Sequence, residues 1–90
     1  MLIPAGKVVR VASFHIERCY LGIQNLNSTA TDIVYLMQSE EEPETMLNAG
    51  FAIGGYGLFE MQNCLNAQSK KPWFAYTETV GGVDLRVMDI

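Results

Sequence analysis

Apolar and polar positions in this chain repeat mostly every second residue, the period of a half-buried β-strand, and sustained helical spacing is missing. Residues 7–12 (KVVRVA) read as a first strand, rich in β-branched side chains. Residues 19–24 read as a second, with Cys19, Leu21 and Ile23 on one face and Tyr20, Gly22 and Gln24 on the other. In 33–38, Ile33, Tyr35 and Met37 alternate with Val34, Leu36 and Gln38. Short strands over 51–53 and 56–61 follow, then 73–78 and 83–88, the last with Val83, Leu85 and Val87 inward and Asp84, Arg86 and Met88 in water. In 73–78 a one-residue change of register exchanges the inward set; Trp73, Ala75 and Thr77 inward is favoured because it keeps Glu78 out. The pattern predicts an all-β fold, a single small β-sandwich or partly open barrel of about seven short antiparallel strands.

The segments between strands carry turn chemistry. Asn25, Asn27, Ser28, Thr29, Thr31 and Asp32 form a polar gap too long for a two-residue hairpin, which predicts an ordered loop at one end of a sheet. Residues 39–50 are the only candidate helix, of one or two turns, with Pro43 at its start and Gly50 at its end. Gly54-Gly55 marks a turn or bulge, residues 62–71 a polar loop, and Gly81-Gly82 the last turn. Ahead of the first strand, residues 1–6 hold the apolar side chains of Leu2, Ile3 and Pro4 and read as a possible extended arm. A short apolar arm with little to pack on in its own sandwich would dock on a neighbour. These three residues are therefore the candidate interface, with coverage of their own core as the alternative.

Length and composition narrow the functional classes. Ninety residues make one domain, 1–90, with a thin core, yet 49% of them are hydrophobic. A formal net charge of −4, with Lys70-Lys71 as the one basic cluster, argues against binding a phosphate backbone. Glu40, Glu41, Glu42 and Glu44 read as a solvated acidic loop rather than a cation site. The start lacks a basic leader region, and no apolar window approaches the ~20 residues of a membrane span. Synthesis into cytosol follows as an expectation, with Cys19 and Cys64 as free, buried thiols.

Candidate chemistry is sparse. Ser13, His15 and Glu17 alternate in SFHIE, but no nucleophile elbow accompanies them, and His15 reads as a surface or edge histidine. His15, Cys19 and Cys64 would be three zinc ligands at most, without paired spacing. GGYG, residues 54–57, lacks the Lys-Ser/Thr and helix of a phosphate loop. Trp73, Tyr76, Tyr56 and Tyr20 could stack on sugar rings, although aromatics at this spacing are more often core. No catalytic residue, cofactor or metal is expected.

The segment RCYLGIQNLNSTATDIVYL, from Arg18, resembles the strand–polar loop–strand that opens small virion-associated proteins of tailed bacteriophages. Arg18, Tyr20, Leu21, Ile23, Gln24, Asn25 and Tyr35 carry the resemblance, with looser likeness through FAIGGYGLFEM, PWFAYTETVGG and VDLRVMD. The acidic 39–50 insert departs from that pattern. The resemblance implies a compact β-sandwich and a non-enzymatic capsid decoration (cement) protein, head-surface spike or other accessory component, with decoration favoured, usually a homo-oligomer, made in the host cytoplasm and located on the virion. It would bind the major capsid protein or another virion protein, and neither nucleic acid nor membrane. A carbohydrate- or receptor-binding module using the aromatics is the alternative, and a small enzyme the third class.

Overall fold

The computed structural model describes residues 1–44, 50–62 and 70–90. Eight strands run through them: β1 Leu2–Ile3, β2 Val9–Ala12, β3 Tyr20–Asn25, β4 Val34–Gln38, β5 Phe51–Ile53, β6 Leu58–Gln62, β7 Trp73–Thr77 and β8 Val83–Asp89. Two four-stranded sheets result, ordered β1-β8-β3-β6 and β2-β7-β4-β5. The order has a simple origin. The chain pairs like one long hairpin, with β4 against β5, β3 against β6, β2 against β7 and β1 against β8, all antiparallel. Rolling that hairpin up adds the contacts β3–β8 and β4–β7 and closes the two sheets. This is the connectivity of a jelly roll, a double Greek key in two packed sheets.

Seven of the strands lie where the alternation places them, with ends shifted by one or two residues. β1 is the addition, and it favours the alternative reading of residues 1–6, coverage of their own core, over a free arm with little to pack on. Leu2 pairs with Asp84 and Ile3 with Val83, and Ile3 is fully buried in the main core. The Met1 amine donates to the Leu85 carbonyl at 2.9 Å and lies 3.3 Å from an Asp84 carboxylate oxygen. Two residues are too few to register as alternation. The candidate helix over 39–50 is also corrected where it can be seen, because 39–44 are bends and irregular chain; 45–49 fall outside the described residues, as do 63–69 of the polar loop.

The core between the sheets is built from Ile3, Leu21, Ile23, Val83 and Leu85 of the first sheet and Val11, Val34, Leu36, Trp73 and Ala75 of the second. Trp73 and Ala75 are inward, as favoured from the sequence, and the fully buried Thr77 hydroxyl donates to the Ile33 carbonyl at 2.6 Å. Two buried polar side chains tie the ends of the sandwich. Arg18 is fully buried, with Nε 2.7 Å and Nη2 3.0 Å from the two carboxylate oxygens of Asp89. It also donates to the carbonyls of Lys71 and Ser13, so one guanidinium ties the chain ahead of β7 and the chain after β2 to β8.

Asn25 does the same at the other end. Its amide donates to the carbonyls of Asp32 at 2.7 Å and Ile53 at 3.1 Å, and its Oδ1 accepts from the Asn27 backbone N–H. Asn27 in turn donates to Asp32 and the Gly82 carbonyl and accepts from the Asp84 N–H. The polar gap is thus a clamp joining both sheets. The 54–57 turn lies against it so closely that a Cβ on Gly55 would sit 2.4 Å from the Thr29 carbonyl oxygen.

One cysteine expectation is overturned. Cys19 is disulfide-bonded, not a free thiol; Cys64 lies outside the described residues. Cys19 does not sit on the core face of β3 beside Leu21 and Ile23: it precedes that strand, half-buried, with its N–H on the Ile90 carbonyl at 2.9 Å. A compartment argument weighs whether a thiol is kept reduced, and does not see which positions the fold brings within bonding reach.

Candidate functional site

The residues singled out from the sequence do not converge. Ser13, His15 and Glu17 are exposed and precede β3 in irregular chain rather than sharing a strand face. Glu40 pairs with Lys71 at 3.3 Å. Among the described residues no group of three or more His, Cys, Asp and Glu side chains could hold a metal, and no helix is long and apolar enough to cross a membrane. GGYG is a turn, with the Gly57 N–H on the Gly54 carbonyl at 2.8 Å and Tyr56 in the left-handed region. The four aromatics considered for sugar stacking lie in four places. Trp73 is in the core, Tyr20 is on the outer face of the first sheet, Tyr56 is in the turn, and Tyr76 is on the outer face of the second sheet. They form no common platform. Of the N-terminal residues, Ile3 is core and Pro4 half-buried, whereas Leu2 is 60% exposed on the outer face of the first sheet.

The unexpected feature is the outer face of the second sheet. Register places Tyr35 of β4 beside Tyr76 of β7 and Met37 beside Phe74. Phe74 is 1% and Tyr76 7% exposed although both point away from the main core, and Val8, Tyr35 and Met37 pack against them as a second apolar cluster. The Arg10 guanidinium sits 5.8 Å from the centre of the Phe74 ring. Tyr35 and Met37 are half-buried, and the exposed Ala52 of β5 lies beside Tyr35. At one end of this face a groove of about 290 Å³ is lined by Thr31, Ile33, Tyr35, Glu78 and Thr79. The Tyr76 hydroxyl donates to Glu78 Oε1 at 2.8 Å, and that bond, with burial and the carboxylate charge, pushes the phenol pKa above its ordinary value.

A second hollow, of about 330 Å³, has Met37, Gln38, Gly50, Phe51, Met61 and Trp73 on its walls. Here Phe51, Phe59 and Trp73 bridge the outer strands β5 and β6, with neighbouring ring centres 4.9 and 5.1 Å apart. The sequence did carry a signal for the second face. WFAYT and VYLMQ are apolar at both odd and even positions, which marks a strand covered on both sides. Comparison with protein-family models, curated proteins and solved structures gives no match.

Proposed function

We propose that this chain is a virion structural protein without catalytic activity, a capsid decoration or cement protein. In this reading it docks on the assembled head through the outer face of the β2-β7-β4-β5 sheet. The observation that supports it is the second apolar cluster, with Tyr35 and Met37 half in solvent above a buried Phe74 and Tyr76. Aromatic residues and Met are the side chains enriched in protein interfaces, and a rigid sheet holds them in place before a partner arrives. The resemblance to tailed-phage virion proteins is the second support. Its Arg18, Leu21, Ile23 and Asn25 are buried, so that likeness bears on the scaffold, and the docking surface is read from the second sheet instead.

Binding the assembled shell and not free capsid subunits would shift the equilibrium toward the shell by mass action. A homo-oligomer seated on a symmetry axis would bridge neighbouring subunits with the same patch repeated. Shells assembled from the major capsid subunit encoded nearest this reading frame test the proposal. Saturable co-sedimentation and a raised shell melting temperature are expected. Protein left in the supernatant at every concentration would overturn it.

A further inference from the structure

We infer that the groove at the end of the second sheet takes an arginine side chain of the partner protein. The inference deepens the docking reading and rests on it for the partner, but not for the groove's own chemistry. Four of the five lining residues carry a side-chain oxygen: Glu78, Thr31, Thr79 and Tyr35. None of the five lining residues is cationic, and Ile33 supplies an apolar wall. Glu78 Oε1 is taken by the Tyr76 hydroxyl, while Oε2 has no hydrogen bond to a described residue. The hydroxyl groups of Thr31, Thr79 and Tyr35 are likewise without one to a described residue.

A negative, acceptor-rich groove beside an aromatic ring selects a planar cation with several N–H donors. Guanidinium meets that description best, because it presents five donors, lies flat on an aromatic face and has an apolar stem for the wall. With one carboxylate and no cation among the lining residues, charge disfavours phosphate and carboxylate ligands. Volume matters too: about 290 Å³ is at the small end of ligand sites, roughly 300–1,000 Å³. That suits one side chain rather than a run of sugar rings.

The probe is the peptide acetyl-Leu-Arg-Leu-amide, set against its citrulline counterpart, which keeps the shape and loses the charge. Both are titrated into the whole domain and followed by amide and methyl NMR. Saturable shifts at Thr31, Ile33, Tyr35, Glu78 and Thr79 are expected with the arginine peptide. Affinity should fall roughly tenfold for the citrulline peptide and for Glu78→Gln. Gln still accepts from the Tyr76 hydroxyl, so an unchanged melting temperature certifies the fold; Tyr35→Leu keeps the apolar area and should also weaken binding. Equal binding of the two peptides would overturn the inference. So would shifts centred elsewhere, or shifts given by glucose and not by the arginine peptide. No capsid enters this experiment, so its failure and the failure of the virion reading are told apart.

Discussion

The two sheets of this sandwich have the same number of strands and opposite outer faces. On the first sheet the outward positions are Leu2, Tyr20, Gln24, Leu58, Glu60, Gln62, Asp84, Arg86 and Met88, a mostly polar set. Its one aromatic is spent locally. Tyr20 lies across Gly22, where a Cβ would come within 2.5 Å of the phenol oxygen, and donates to Glu60 at 2.8 Å. On the second sheet the outward positions are Arg10, Tyr35, Met37, Ala52, Phe74 and Tyr76, four of them aromatic or Met and in one cluster. An antiparallel sheet needs only one dry face to fold, so a second apolar cluster on a domain this small exceeds what the core requires. The docking proposal rests on this difference between the two outer faces.

The sharpest way to break this comparison is to truncate matched outward residues. Phe74→Ala should cost about 3–5 kcal/mol in chemical denaturation, as at a core site, although Phe74 points away from the main core. Met88→Ala on the other sheet should cost under ~1 kcal/mol. Equal losses would erase the distinction. Asp89→Asn comes next. It leaves the buried Arg18 without its carboxylate, and about 2–3 kcal/mol is expected, below the figure for a fully buried pair because Asp89 is partly exposed. A melting temperature unmoved by this change would mean that Arg18 does not anchor the first sheet.

Asn25→Ala should cost about 1–3 kcal/mol by stripping partners from the Asp32 and Ile53 carbonyls and the Asn27 N–H. Its signature is faster amide exchange at both sheets' ends, since the clamp holds both; loss confined to β3 would contradict the clamp. The smallest effect is spectroscopic and shared by the two faces. Tyr20 and Tyr76 each have a pKa raised above 10.0, first by the bond to Glu60 or Glu78, then by burial, then by the carboxylate charge. The raised value favours the protonated phenol in the folded state. Its contribution to stability is present below pH 10 and is lost as pH rises through the folded value. Glu60→Gln and Glu78→Gln should each lower one tyrosine's titration toward 10.0 in ultraviolet absorbance.

Legibility followed element length and the number of covered faces. Alternation over four or more residues located β2, β3, β4, β6, β7 and β8, and 51–53 stood out between glycines. β1 was hidden because a pair of residues has no period, and its pairing with β8 depends on the far end of the chain. Keeping Glu78 out selects the inward face of β7, but that choice says nothing about the other face, which holds Phe74 and Tyr76. A run apolar at every position signals two covered faces rather than an ambiguous register. Arg18 and Asn25 could not be placed inside, because polar residues are buried only where partners from distant segments meet them. The same holds for the disulfide at Cys19, a property of the fold and not of the spacing.

The central claim is that the second sheet carries the docking face and the first does not. Co-sedimentation with assembled shells decides it when two double variants are run side by side. Tyr35→Ser with Met37→Ser should abolish binding while the domain stays folded by circular dichroism. Gln62→Ala with Arg86→Ala should bind as the unmodified chain does. Retained binding by the first pair, or its loss in the second, would contradict the account.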